Sequence, residues 1–256
     1  MLRTLKTVIK RSPMAPLAVS LYGLALPSGK RESKLRSLRY DLQTVEVMRR
    51  HLRQDAACID IGAHEGEILR SMTKLCPRGQ HVAFEPIPHL AARLRARYPG
   101  VAVHEAACGA QAGVANFVLV ENAPAYSGLR PRIYDRPDAK LTTIQVQVAR
   151  VDDLVSHRVE LIKIDVEGGE YHALLGAERT ISRCRPVIVF EAGAKSAAQY
   201  GVTPQDFTNF FDRLGYRVST MERWLASRPA LTGKDFAANW FDGPDYYFIA
   251  SPVLSC

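Results

Sequence analysis

The sequence has few of the features that identify disulfide-rich, zinc-binding or membrane-spanning proteins. Its cysteines are odd in number, widely scattered and never spaced as C-x-x-C, so neither a disulfide framework nor a zinc site is indicated. They are Cys58, Cys76, Cys108, Cys184 and Cys256. This usage is typical of a reducing compartment, and we expect a cytoplasmic protein.

A long apolar run is also missing. The most apolar stretch near the start, residues 13–27, contains three prolines and is shorter than the roughly 20 apolar residues that a bilayer requires. No small-residue cleavage site follows it clearly before Lys30. We interpret the run as a packing segment or a membrane-surface segment.

The excess of positive charge, +8 for the whole chain, is concentrated at its start. Residues 1–53 hold twelve Lys and Arg against three Asp and Glu, and the remainder is nearly neutral. We therefore divide the chain into a basic, helical N-terminal appendage, 1–53, and a main domain, 54–256. The appendage could contact phosphates or a membrane surface, although a solvated helix face is the simpler interpretation.

From residue 56 onward, short apolar runs alternate with helix-like stretches, the pattern of a parallel sheet with helices on both faces. Seven strands are predicted, at 57–61, 81–84, 101–104, 161–166, 187–190, 216–220 and 246–250. No strong helix pattern separates the last two, which predicts an antiparallel final strand. The fold class is therefore α/β, with a doubly wound, seven-stranded, mostly parallel sheet.

An insert interrupts this alternation after the third strand. Residues 114–120 and 143–149 alternate between apolar and polar side chains, so they predict a β-pair. The loop between them is long enough to be a lid. Its Tyr126, Ser127 and Arg130 are candidates to line a pocket.

The turn after the first strand predicts a nucleoside site. Asp60 is followed by Gly62, His64 and Gly66, and the two glycines allow a ligand to approach the backbone closely. The spacing is not G-x-G-x-x-G, and the acidic residues discourage a phosphate and favour a cationic amino-acid moiety. Glu85 ends the second strand, where a carboxylate can accept hydrogen bonds from ribose hydroxyls.

Small residues follow the third strand. Ala107, Cys108 and Gly109 offer free backbone groups against which an adenine ring could lie flat. Tight packing explains such residues equally well.

The segment from Leu161 to Glu170 (LIKIDVEGGE), with Leu174 to Ala177 and Arg185 to Glu191, resembles the FkbM family of methyltransferases. With the Asp60 turn and Glu85, the resemblance spans roughly residues 56–250. It implies the Rossmann-like methyltransferase fold, S-adenosylmethionine as methyl donor and usually an oxygen nucleophile on a sugar or natural product. The family turn often reads Gly-Ala-Asn where this chain has His64, which puts the role of that residue in doubt.

Acidic residues gather at the carboxyl ends of the fourth and fifth strands, the edge at which such sheets bind ligands. For the base that accepts the acceptor's proton we select Asp165 or Glu167, with His172 or Glu191 as substitutes. Asp165 is also expected beside the donor. No His and Asp constellation has metal-ligand spacing, so we predict no metal.

Two other enzyme classes compete with this interpretation. An NAD-dependent oxidoreductase could use the same sheet, but the sequence lacks the three-glycine fingerprint and a Tyr-x-x-x-Lys pair. An RNA-binding methyltransferase could use the basic arm, although Tyr22 and Tyr40 are the only aromatic residues in it available for base stacking. A small-molecule or glycan acceptor is therefore favoured, and nucleic acid is not.

Overall fold

A computed structural model describes residues 28–132 and 138–253, and ten strands in these ranges form two sheets. The predicted apolar segment 13–27 and Cys256 lie outside the described residues. In chain order the strands are β1 Cys58–Ile61, β2 Val82–Phe84, β3 Ala102–His104, β4 Ala107–Cys108, β5 Gly113–Val120, β6 Leu141–Ala149, β7 Leu161–Ile164, β8 Val187–Glu191, β9 Tyr216–Thr220 and β10 Tyr247–Pro252.

The main sheet has seven strands in the order β3-β2-β1-β7-β8-β10-β9. Strands β3, β2, β1, β7 and β8 pair in parallel, and β10 runs antiparallel to both β8 and β9. The predicted mostly parallel sheet with a reversed last strand is confirmed. Because β1, β7 and most of β8 are buried, helices must cover both faces.

The described helices lie between these strands and before the first of them. They are α1 Ser28–His51, α2 Glu67–Leu75, α3 Pro88–Arg97, α4 Val151–Leu154, α5 Glu170–Gly176, α6 Glu178–Cys184, α7 Ala194–Ala197, α8 Pro204–Arg213, α9 Met221–Leu225 and α10 Gly233–Asp242. Within the ranges that the structure covers, no helix combines the length and the apolar character needed to cross a bilayer.

The expectation of no helix between the last two strands is wrong, because α9 and α10 lie there. Helix α10 begins with a capping box, in which Thr232 and Asp235 satisfy each other's backbone N–H groups. Its Phe236 and Trp240, one turn apart, are buried among the aromatic side chains of α8. The capped start and the buried i, i+4 apolar pair stabilise this helix, although the glycine, proline and aspartate of the segment disfavour helix formation.

Helix α1 packs into the core of the molecule. Tyr40, Val47 and Met48 are at most 2% exposed and share one buried cluster with residues of β1, α2 and α9. On the opposite face of the sheet, the aromatic side chains of α8 and α10 pack against Phe190 and other strand residues. The predicted domain boundary after residue 53 stays a prediction.

The insert after β3 forms the second sheet, in the order β4-β6-β5. The predicted β-pair is confirmed as the antiparallel pairing of β5 with β6 over eight residue pairs. Ala107 and Cys108, predicted as a turn, form β4 and pair in parallel with β6. A bridge between Val118 and Gly128 folds the following loop back onto β5, above the carboxyl edge of the main sheet.

Candidate active site

The turn after β1 fits against the end of β7 because residue 62 is glycine. Gly62 has φ +75°, and a Cβ there would lie 1.9 Å from the carbonyl oxygen of Asp165. Its N–H donates to the carbonyl oxygen of Phe84 at 3.0 Å, which ties the turn to β2 as well. Strands β1, β2 and β7 therefore meet at one point, and only glycine fits there.

His64 contributes its backbone N–H group to the site. Its φ is +49°, a region in which His and Asn are both enriched among non-glycine residues. Its N–H donates to Oε2 of Glu85 at 2.7 Å. The His that replaces the family's Asn is therefore compatible with the conformation of the turn, because the backbone N–H makes this contact whichever of the two side chains is present.

Glu85 is fixed at the end of β2 by two backbone donors. Besides the His64 N–H, the Ile87 N–H donates to Oε1 at 2.9 Å. Burial of this 3% exposed residue raises the pKa of its carboxyl group to about 7, against the lowering effect of these hydrogen bonds. Each carboxylate oxygen can accept a second hydrogen bond, so Glu85 keeps the capacity to bind hydroxyl groups.

A small cavity of about 60 Å³ lies beside Glu85, between the main sheet and the insert. Its lining is mostly apolar and includes Ile61, Phe84, Ile87, Ala107, Cys108, Phe117 and Leu129. Small-molecule pockets typically measure about 300 to 1,000 Å³. The cavity by itself is smaller than such a pocket, and its roof includes Pro124, Ala125 and Ser127.

Two predicted site residues do not line this cavity or the larger one described below. Gly66 precedes α2 with φ +77°, a backbone conformation that favours glycine, and a Cβ there would meet the side chains of Leu94 and Tyr98 at 2.7 and 3.0 Å. His172 lies on α5 with its ring 5.7 Å from that of Tyr200. His172 is therefore not among the bases that we propose.

Lys163 links the acids of two neighbouring strands. It is 5% exposed, and its Nζ lies 3.2 Å from Oδ1 of Asp60 and 3.8 Å from Oδ2 of Asp165. Burial alone would lower the pKa of this ammonium group, but the two carboxylates outweigh burial and raise it. Lys163 therefore stays charged and balances the buried Asp60, whose own pKa burial raises.

Three predicted catalytic carboxylates converge at the edge of the sheet. Oxygen atoms of Asp165, Glu167 and Glu191 all lie within 4.8 Å of one another, a spacing that could hold a metal ion. The prediction of no metal stays a prediction. Sequence spacing could not reveal the cluster, because adjacent strands bring together Asp165 and Glu191 from 26 positions apart in the chain.

The charge of the cluster is partly balanced by the protein itself. Arg132 forms an ion pair with Glu167. Burial, together with the charges of Asp165 and Glu170, raises the pKa of Glu191 well above its ordinary value and so favours its protonated form. Tyr247 donates a hydrogen bond to Oδ2 of Asp165 at 2.5 Å.

Glu170, the remaining acid of the motif, belongs to the turn. Its Oε1 accepts hydrogen bonds from the N–H groups of Val166 and Gly168 at 3.0 and 3.1 Å. Gly168 has φ +106°, and a Cβ there would lie 2.1 Å from the carbonyl oxygen of Ser196. Glu170 therefore holds the turn that presents Glu167.

A wide cavity of about 640 Å³ adjoins the small one, and Gly62, His64, Ala125, Asp165 and Glu167 line both. The outer wall of the wide cavity comes from α1, α10 and the start of β10, and most of it was not predicted from the sequence. The aromatic residues of this wall are Tyr40, Tyr126, Trp240, Phe241, Tyr246 and Tyr247. Of the insert residues singled out, Tyr126 lines the wide cavity and Ser127 the small one, whereas Arg130 lines neither.

The seven-stranded sheet with its reversed strand, together with the glycine turn and the strand-end acids, defines a Rossmann-like methyltransferase. The sequence profile of the methyltransferase FkbM domain matches residues 60–218, more than half of the chain. The chain belongs to the FkbM family and is an S-adenosylmethionine-dependent methyltransferase. This membership decides against the oxidoreductase alternative.

Solved structures of methyltransferases share the fold. An FkbM methyltransferase from Methylobacillus flagellatus KT matches with a TM-score of 0.50 and 18% identity, over 84% of this chain and 54% of that one, so this chain spans about half its length. A precorrin-6y C5,15-methyltransferase from Geobacter metallireducens GS-15 gives a TM-score of 0.43 and 14% identity, over 86% and 87% of the two chains. A search of curated proteins finds no match.

Proposed function

We propose that this protein methylates an oxygen atom, that of a hydroxyl group on a sugar, a glycan or a small natural product. The observation that carries the proposal is the position of Asp165. It lines both the narrow cavity beside Glu85 and the wide cavity with aromatic walls. A carboxylate at this junction can accept the proton of a hydroxyl group that is brought against the donor.

The small cavity and its rim are suited to the donor. Ala107 and Cys108 form an apolar wall for the adenine ring, and Glu85 accepts the ribose hydroxyls. Asp60, Gly62 and His64 line the wide cavity at the glycine turn, where acidic groups favour a cationic amino-acid moiety. S-adenosylmethionine, when bound, supplies an electrophilic methyl group on a positively charged sulfur.

Among the carboxyl groups at the junction, Asp165 is the preferred base. The raised pKa of Glu191 favours its protonated form, which donates a hydrogen bond and cannot accept the acceptor's proton. Glu167 is engaged by Arg132. Alignment is expected to contribute more than proton transfer, since positioning supplies effective molarities of about 10⁵ to 10⁸ M and a general base about 10²-fold to 10⁴-fold.

The wide cavity is suited to a polar acceptor with apolar faces. Aromatic side chains can pack against the ring of a sugar or natural product, while carboxyl and cationic groups bind its polar substituents. Lys34 and Lys195 at the cavity, with Arg132, add positive charge to a lining that also holds several acids.

The test of this proposal measures release of S-adenosylhomocysteine from S-adenosylmethionine across methyl glycosides, free sugars, phenols and lipids. Mass spectrometry of the product then locates the new methyl group. Methylation of a hydroxyl oxygen is expected. A product methylated on nitrogen or carbon, or no release with any acceptor by protein that binds the donor, would contradict O-methylation.

Donor binding is expected to strengthen as the pH rises from about 6 to about 8. Burial raises the pKa of Glu85 to about 7, so below this pH Glu85 is mainly protonated and a weaker acceptor for hydroxyl groups. Calorimetry should show the Kd for S-adenosylmethionine falling over this range. In Glu85→Gln the Kd should be higher and should not change with pH.

Glu170→Gln is the matched control for this experiment. The pKa of Glu170 is also raised to about 7 by burial, but its carboxyl group accepts from the turn and lines neither cavity. Its variant should keep the pH dependence of donor binding. If Glu85→Gln behaved like the wild type, Glu85 would not bind the ribose.

Removal of divalent cations is expected to leave turnover unchanged. Arg132 pairs with Glu167, the Tyr247 phenol donates a hydrogen bond to Asp165, and the raised pKa of Glu191 favours its neutral form, so the protein itself stabilises the carboxyl groups at the junction. The measurement compares turnover before and after treatment with EDTA. A loss of turnover that Mg²⁺ restores would instead make Asp165, Glu167 and Glu191 metal ligands.

The RNA alternative makes a different prediction about salt. An RNA acceptor would bind through phosphate contacts, so its affinity would fall steeply with salt concentration. In the described part of α1, two basic side chains form ion pairs within the protein, Arg39 with Asp245 and Arg50 with Glu46.

Contact of the basic arm with a membrane surface and a cytoplasmic location remain proposals. Binding to vesicles at varied salt concentration tests the membrane contact.

A further inference from the structure

Tyr247 is the first residue of the reversed strand, and it lies at the junction of the two cavities. Strand β10 pairs it with Glu191, and its phenol donates to Oδ2 of Asp165 at 2.5 Å. The ammonium group of Lys163 lies 3.8 Å from the same oxygen. Two groups from different strands therefore contact one oxygen atom of the proposed base.

The phenol ring of Tyr247 is itself held by the N-terminal helix. Tyr40 of α1 stacks on it, with ring centroids 5.1 Å apart and an interplanar angle of 22°. Tyr40 is 2% exposed, and its hydroxyl donates to Oδ1 of Asp245 at 2.9 Å. Neither ring can turn without disturbing the packing of α1 on the end of the sheet.

We propose that Tyr247 is a positioning residue for the methyl transfer: its phenol fixes the carboxylate of Asp165 so that Oδ1 accepts the acceptor's proton, and Tyr40 holds the phenol in place. This inference rests on the proposed function. Burial and the neighbouring acids raise the pKa of Tyr247, so the hydroxyl remains a donor over the working pH range. An aspartate carboxylate can turn about two side-chain bonds and needs such an anchor, because a displacement of about 1 Å at a reacting group can cost about 100-fold in rate.

The test compares Tyr247→Phe with Tyr216→Phe in the intact protein, with S-adenosylmethionine and the acceptor that gives the most S-adenosylhomocysteine. Tyr216 is a matched control, because its buried hydroxyl donates to the carbonyl oxygen of Pro186 on the same sheet, away from both cavities. In Tyr247→Phe we expect kcat to fall about 10-fold to 100-fold, with the KM for both substrates and the Kd for the donor unchanged. Tyr216→Phe should keep the wild-type kcat.

A double mutant separates positioning from a general structural effect. If Tyr247 acts through Asp165, then Tyr247→Phe should cause no further loss of kcat in an Asp165→Asn background. Tyr40→Ala, which removes the stacked ring but no contact of Asp165, Glu167 or Glu191, should lower kcat in the same direction. It also keeps the inference testable if Tyr247→Phe does not fold.

The failures of the two proposals are distinguishable. Wild-type protein that neither binds the donor nor releases S-adenosylhomocysteine contradicts the proposed function. Active wild-type protein with a kcat for Tyr247→Phe equal to that of Tyr216→Phe overturns the positioning role and leaves the function standing. Losses that multiply in the double mutant also overturn it, because Tyr247 would then act independently of Asp165.

Discussion

Asp165→Asn is expected to lower kcat by about 10²-fold to 10⁴-fold, the range measured for loss of a general base. Asparagine has nearly the same shape and can still accept the Tyr247 hydrogen bond, but it cannot take up the proton of a hydroxyl group. Lys163 keeps Asp60 as its partner, so the fold should survive. Steady-state release of S-adenosylhomocysteine gives kcat, and calorimetry should show that donor binding persists.

Glu191→Gln is the matched control at the same cluster. Because the raised pKa of Glu191 favours its neutral form, glutamine resembles that form in charge and shape, and most of the activity should remain. The two variants together identify the base. Should Glu191→Gln be the inactive one while Asp165→Asn turns over normally, the assignment of the two carboxyl groups would have to be exchanged.

Gly62→Ala is expected to destabilise the protein by at least about 3 kcal/mol. The new methyl group would meet the Asp165 carbonyl oxygen at 1.9 Å, and residue 62 would also keep a positive φ that disfavours alanine. For a protein of this size such a loss corresponds to a decrease in Tm of roughly 6 to 12 °C. Donor binding should weaken as well, since the turn lines both cavities.

Gly100→Ala is the control for this prediction. A Cβ at Gly100 would find no described atom within 4 Å, and its φ lies outside the strained positive range. Thermal unfolding of the two variants side by side measures the cost of the contact. Equal Tm values would mean that the turn can move away from β7 freely.

The strands of the main sheet could be predicted because burial on both faces produces continuous apolar runs. All seven were found, with ends that differ by a few residues, as at 161–166 against β7. The reversed last strand was predicted for the wrong reason. Two helices do connect it to β9, and β10 nevertheless pairs antiparallel to both β9 and β8.

The acids at the sheet edge could be predicted because parallel strands deliver their carboxyl ends to one place. The same rule does not predict Tyr247, because it considers only the residues at which strands end, and Tyr247 begins a strand. A reversed strand begins at the edge where the parallel strands end. Predicting strand 246–250 as antiparallel therefore places its first residues, including Tyr247, beside the acids. Helix α1 carries no such signal, because the hydrogen bonds that tie its Tyr40 to the start of the reversed strand join residues more than 200 positions apart in sequence.

The wall of the wide cavity, the proposed acceptor site, lies largely outside the stretch that the FkbM profile recognises. That profile ends at residue 218, whereas α1, α10 and Tyr247 lie beyond its limits. Relatives can therefore diverge in these peripheral segments and still retain the common donor machinery. Chimeras that exchange the segments between family members should change acceptor preference while the affinity for S-adenosylmethionine is inherited from the shared centre.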